Sequence, residues 1–236
     1  IKDVCTRIRD LRASGSSRAE ILRALAAIQC VYVPSLYKQV VDAHSTRWGY
    51  AVPSESGIAP EVVYKRCEAD LASTEPIAAR IVPYLETVHD RLSIEVLRGC
   101  ARGCRFCQAG MTYRPVRERP LGQIVEATSQ ALAACGYDEV SLSSLSTSDH
   151  SQCKEMLHEL SKLVDDRGIR VSLPSQRLDS FGVDMAAAAS GGRRSSLTFA
   201  PEAGTQRLRD VINKPISTQA MLDTAREVYS RGWTTI

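Results

Sequence analysis

The 236-residue chain has no run of about 18 apolar residues, which argues against a transmembrane helix. Its start, "IKDVCTRIRD", lacks both an initiator Met and an apolar signal core, and so reads as the interior of a longer polypeptide. Eight cysteines fall well short of a disulfide-scaffold composition. Five of them (Cys5, Cys30, Cys67, Cys135, Cys153) are scattered and three are clustered, a usage that suits a reducing compartment, with the cytoplasm as the default. A strong charge of one sign is also missing. The net charge of +3 and a pI near 8.4 are too mild to imply nucleic acid by themselves. No internal repeat or low-complexity tract occurs. What remains is 44% hydrophobic and 24% charged, the balance of an ordinary soluble protein with a substantial core.

The first 90 residues read as helical and connective. "SRAEILRALAAI" begins with a capping box, Ser17 to Glu20, and continues with an apolar stripe of Ile21, Leu22, Leu25 and Ile28. "VYVPSLY" and "GYAVPSESGIAP" break periodicity and indicate an extended connection. From residue 91 the texture alternates. Strand candidates at 92–97, 139–145, 169–173 and 195–200 are separated by helices at 121–136, 152–164 and around 182–190. Helices at 205–212 and 218–231 follow, with Ser217 as a cap, and "TTI" opens another strand. Alternating strands and helices predict β-α units on a parallel sheet. The count is four units and the start of a fifth, so the expected fold is α/β, a partial (truncated) parallel β/α barrel over 91–236. A helical and extended leader over 1–90 would join it to an upstream domain.

Three cysteines in "GCARGCRFCQAG" (99–110) follow the spacing Cys100-x3-Cys104-x2-Cys107. A zinc site needs four ligands, and no second Cys or His pair follows at the right distance. A redox pair of Cys104 and Cys107 leaves Cys100 redundant. The Cys-Pro that ends a bacterial ferredoxin run is absent. The positive reading is a [4Fe–4S] cluster on three thiolates, with one iron left open. The loop follows strand 92–97, at the strand end where α/β barrels put their chemistry.

"CARGCRFC" resembles the C-x3-C-x-aromatic-C signature of radical S-adenosylmethionine (SAM) enzymes, with Phe106 as the aromatic. More closely, "VPYLETVHDRLSIEVLRGCARGCRFCQAGMTYRPVRER" and "LTFAPEAGTQRLRDVINK" are similar to a bacterial family of uncharacterised radical SAM proteins in which a cobalamin-binding-like domain precedes the barrel. A distant similarity to methylthiotransferases is also present.

The resemblance implies that Cys100, Cys104 and Cys107 ligate three irons and that SAM chelates the fourth. One electron from the reduced cluster would then cleave SAM to a 5′-deoxyadenosyl radical that abstracts a substrate hydrogen. The electron would come from a donor such as flavodoxin or ferredoxin, and cobalamin would enter only through the upstream domain. Phe106 would pack near the adenine or simply shield the loop. The family's second strand ends in a Gly-Gly-Glu-like motif; "SLSSLSTSDH" stands here instead, leaving Ser143, Ser144 or Ser146 as stand-ins, Ser144 foremost. Arg177 would meet a carboxylate bidentately or lie on the surface. Glu202 in "APEAGTQRLR" would accept from ribose hydroxyls or the SAM ammonium, and Lys214 in "INK" would approach the SAM carboxylate. The competing function is a non-catalytic iron–sulfur module for electron transfer.

Other residues take duller readings. Cys153 and Cys135 fall on apolar stripes and read as core, and His158 falls off its stripe and reads as solvated. His150 reads as a loop cap or surface residue rather than a substrate contact. Arg114, Arg117 and Arg119 in "YRPVRERP" read as a solvated basic loop rather than a phosphate or RNA contact.

Overall fold

The pattern of capping and alternation is realised in a computed structural model that describes residues 1–41, 49–85, 87–173, 177–178 and 197–236. The chain divides into two compact units, Ile1–Glu68 and Ala69–Ile236. Residues 69–90, placed in the leader by composition, therefore group with the second unit.

In the first unit, α1 (Lys2–Ala13) precedes α2 (Arg18–Ala26). The capping box is present in both directions: the Ser17 hydroxyl accepts from the Glu20 amide at 3.3 Å, and Glu20 accepts from the Ser17 amide at 2.7 Å. The stripe of α2 packs with Val33, Leu36 and Ile58 in one small core. The expected extended connection is corrected here. Tyr37–Val41 (β1) and Gly49–Pro53 (β2) form an antiparallel ladder. β-Branched and aromatic residues in both stretches favour pairing despite the flanking prolines.

The second unit holds the α/β body. Leu92–Glu95 (β3), Glu139–Ser143 (β6) and Arg170–Ser172 (β7) form a parallel sheet in the order β3-β6-β7. A short antiparallel pair, Leu97–Arg98 (β4) with Arg117–Glu118 (β5), interrupts it after β3. The register sets Leu92 beside Val140, Val140 beside Val171 and Ile94 beside Leu142. This face is fully buried under α4 (Leu121–Cys135) and α5 (Cys153–Val164), through Ile124, Ala131 and Leu132 from one and Met156, Leu157 and Leu160 from the other. Each of the larger side chains, Ala131 aside, contributes about 1.5–3 kcal/mol by leaving water. Gly136 ends α4 at φ 69°, as a left-handed C-terminal stop requires.

Two helices close the described chain, α6 (Gln206–Val211) and α7 (Thr218–Ser230), and Ser217 caps the second by accepting from the Ala220 amide. Val228 of α7 packs with Leu197, Phe199 and Trp233. The strand expected at 195–200 is seen only from residue 197. Leu197 is buried and Thr198 exposed, but 197–200 have no ladder partner among the described residues. "TTI" likewise forms no strand. Alternating burial gives the strand pattern; a strand also needs a neighbour to pair with. The helix expected around 182–190 lies outside the described residues. Among the described residues, no helix is long and apolar enough to cross a membrane.

Candidate metal centre

The cysteine loop leaves the sheet through β4 and runs over residues 99–107 before the short helix α3 (Gln108–Thr112). Gly99 starts it at φ 90°, and a Cβ there would meet the Tyr113 and Pro115 carbonyl oxygens at 2.6 Å. Only glycine fits so close an approach. Gly103, at φ 71°, supplies the second left-handed turn.

Cys100, Cys104 and Cys107 are half-buried and carry no disulfide. Two of their sulfurs already have N–H groups directed at them. The Gly110 amide donates to Cys107 Sγ at 3.3 Å, and Arg177 Nη1 donates to Cys104 Sγ at 3.8 Å. Among the described residues, no three Cys, His, Asp or Glu side chains converge on one ion-sized point. The fit to a metal cluster therefore rests on donor chemistry: three thiols on one loop, with amide and guanidinium N–H groups directed at two of the sulfurs. The other two cysteines of the second unit, Cys135 and Cys153, sit in different surroundings. Cys153 is buried in the α5 core, and burial pushes its thiol up to about 11. Cys135, expected in the core, is half-buried instead, and its sulfur accepts from the Arg80 amide at 3.4 Å.

The loop is anchored to three later segments. Arg102 binds the Asp149 carboxylate through Nε at 2.9 Å and through a second, shorter bond. The Arg105 amide donates to the Ile212 carbonyl at 2.9 Å, and its guanidinium reaches the Val211 carbonyl. Asn213 Nδ2 donates to the Gly103 carbonyl at 2.9 Å and the Arg102 carbonyl at 3.3 Å. Arg114 adds a bond to the Cys100 carbonyl at 3.2 Å. Burial alone would raise Asp149, but the hydrogen bonds from Arg102, with the charges of Arg102 and Arg177, outweigh it and hold the carboxyl below its usual range.

The expected site residues distribute unevenly about this loop. Arg177 turns to a cysteine sulfur, not the surface. Glu202 and Lys214 meet each other: Lys214 Nζ lies 3.1 Å from Glu202 Oε1, with Lys214 buried and Glu202 exposed at φ 68°. Phe106 is 53% exposed. Ser144 shares a 2.7 Å hydrogen bond with Thr147, Ser143 is exposed and Ser146 is buried. His158 is exposed as expected.

Three of the duller readings are corrected. Arg117 and Arg119 are buried, not solvated. Arg117 donates to the Pro115 and Tyr113 carbonyls, while Arg119 donates to the carbonyls of Leu71, Thr74 and Glu95 and to Gln123. Carbonyls of Tyr113 and Pro115 in the long β4–β5 connection, and of Leu71, Thr74 and Glu95 before it, supply partners that the sequence does not reveal. His150 is likewise buried rather than on the surface. Its Nδ1 accepts from the Gln152 amide, so its Nε2–H donates to the Arg119 carbonyl.

Sequence reasoning passed over Asn213, Asp149, Arg102 and Arg105. Only Asn213 carried a local signal, as an Asn just ahead of Lys-Pro that tolerates the left-handed φ of 57° it adopts. A cavity of about 510 Å³ opens beside Arg98, lined by Ser93, Glu95, Arg119 and Ser143 on the sheet face away from α4 and α5. The Arg98 guanidinium grips Glu95 at 2.8 and 2.6 Å. That bond, against the opposing effect of burial, holds the Glu95 carboxyl below its usual range.

Residues 94–236 match the Radical SAM superfamily. An uncharacterized protein of Methanocaldococcus jannaschii, MJ0966, is 34% identical over 123 residues, which cover 52% of this chain and 26% of the relative. Two structures of the radical S-adenosylmethionine methyltransferase TsrM from Kitasatospora setae share the fold. One has cobalamin and a [4Fe–4S] cluster bound, and the other has tryptophan substrate and the SAM analog aza-SAM. Each aligns with a TM-score of 0.51 at 17% identity, covering 61% and 62% of this chain and 29% of TsrM. The chain thus spans less than a third of the length of these relatives.

Proposed function

Because the chain belongs to the Radical SAM superfamily, we propose that its second unit binds a [4Fe–4S] cluster through Cys100, Cys104 and Cys107 and cleaves SAM reductively. The observation that carries this reading is the loop itself: three unbridged thiols on one turn after β4, held by later segments of the same unit. When bound, the cluster supplies the electron that splits SAM into methionine and a 5′-deoxyadenosyl radical, with an external donor such as flavodoxin or ferredoxin as the source. The chain's own residues bind, orient and shield. Glycines 99 and 103 shape the turn, and the Gly110 amide steadies the Cys107 thiolate. Phe106, exposed at the loop's edge, offers a ring to the adenine. Glu202 uses one carboxylate oxygen on Lys214 and keeps the other for a ribose hydroxyl or the SAM ammonium, so the pair acts as one unit. Ser144, which shares a hydrogen bond with Thr147, meets the amino group through its hydroxyl in this reading. The cavity beside Arg98 receives the substrate from which hydrogen is taken. A reducing compartment, the cytoplasm, suits thiols of this kind. No described residue is proposed to hold cobalamin.

Anaerobic reconstitution of the full chain tests this. The expected result is about four irons and four sulfides per chain, with 5′-deoxyadenosine formed from SAM under strong reductant. Changing all three cysteines to Ala abolishes both. Zinc in place of iron would overturn the reading. A cluster that yields no 5′-deoxyadenosine would leave a non-catalytic electron-transfer module.

A further inference from the structure

Resting on that cluster-binding reading, we propose that Arg177 sets the reduction potential of the centre through its N–H donated to the Cys104 sulfur, with Asp149 as the opposing charge. Arg177 is half-buried shortly after β7, and its Nη1 stands 3.8 Å from Cys104 Sγ. The same guanidinium acts electrostatically on the Asp149 carboxylate, which is itself bonded to Arg102. Two guanidinium groups thus act on one carboxylate on the Cys104 side of the loop. Other charges near the loop are committed elsewhere. Arg105 and Arg114 donate to the Val211 and Cys100 carbonyls, and Lys214 is neutralised by Glu202. Arg177 is a charged donor directed at a cysteine sulfur.

Adding an electron makes a thiolate-ligated cluster more negative. A cationic N–H at the sulfur stabilises that reduced state more than the oxidised one, and so raises the potential. Removing the donor lowers it, and removing the carboxylate raises it. Arg177 is thus a positioning and tuning residue for the cluster, rather than the carboxylate clamp its sequence context suggests.

An EPR-monitored redox titration of the reconstituted full chain, without SAM, reads this independently of turnover. Relative to wild type, Arg177→Met leaves about tenfold less cluster reduced at a fixed solution potential, equivalent to about 59 mV for a one-electron couple. Arg177→Lys keeps the charge and gives a smaller shift in the same direction, while Asp149→Asn shifts the opposite way. Iron and sulfide are counted on every sample. If Arg177→Met fails to load, the Lys and Asn variants carry the test through their opposite signs. A potential unchanged in every fully loaded variant overturns this proposal and leaves the cluster reading standing. A wild-type chain that takes up no iron overturns both.

Discussion

Cys153 shows how one side chain's surroundings decide its chemistry. Packed with Met156, Leu157 and Leu160, its thiol is raised from the ordinary 9.0 to about 11, first by burial and then by the Glu155 and Asp149 charges. A raised acid keeps its proton in the folded chain while the unfolded chain gives it up. The associated stability is therefore complete below about pH 9 and is lost as pH climbs towards 11, at no more than about 1.4 kcal/mol per pH unit. Denaturant unfolding at pH 8, 9 and 10 should show the midpoint falling, and Cys153→Ala should flatten that fall. A wild-type midpoint equally steep in the variant would place the cause in other groups. Cys100, Cys104 and Cys107, half-buried among donors, are set apart from Cys153 by position alone.

At the scale of elements, the cysteine loop is shaped by its glycines to different degrees. Gly99→Ala forces a Cβ to within 2.6 Å of two backbone carbonyls, neither of which has freedom to swing away. It should cost about 3 kcal/mol or more and lower the iron bound per chain. Gly103→Ala meets only the Arg114 and Asn213 side-chain ends at 3.4 Å, and should cost about 1 kcal/mol, with iron retained. Thermal unfolding and iron analysis of the two variants separate the cases; equal losses would refute the distinction. Helices α4, α5 and α7 and strands β3, β6 and β7 were legible because each announces itself within a dozen residues, by a stripe, a cap or alternation. So were the three cysteines. The bonds of Arg102, Arg105, Asn213 and Arg177 were not legible, since each joins residues far apart in the chain that have no shared local pattern. Arg119 fails for the same reason: nothing in "YRPVRERP" foretells carbonyl partners at Leu71 and Thr74.

For the whole molecule, the division at Glu68 and Ala69 assigns the candidate chemistry to one unit, since every anchor of the cysteine loop lies beyond it. Weakening the first unit should then spare the metal. Ser17→Ala removes the capping box of α2 and should cost about 1 kcal/mol there. Faster proteolysis or hydrogen exchange confined to residues 1–68, with iron per chain unchanged, is the expected outcome. A matching fall in iron would make the first unit part of the site. The anchors also impose an order in time. Arg102 waits 47 residues for Asp149, and Gly103 waits 110 for Asn213. At a ribosomal rate of about 5–20 residues per second, that last interval is roughly 5–20 s. During it the thiols have left the synthesis machinery with their clamps still unmade. On the proposed cluster reading, the clamped form of this loop exists only once residue 213 has been made, and three nascent thiols need protection from oxidation until then.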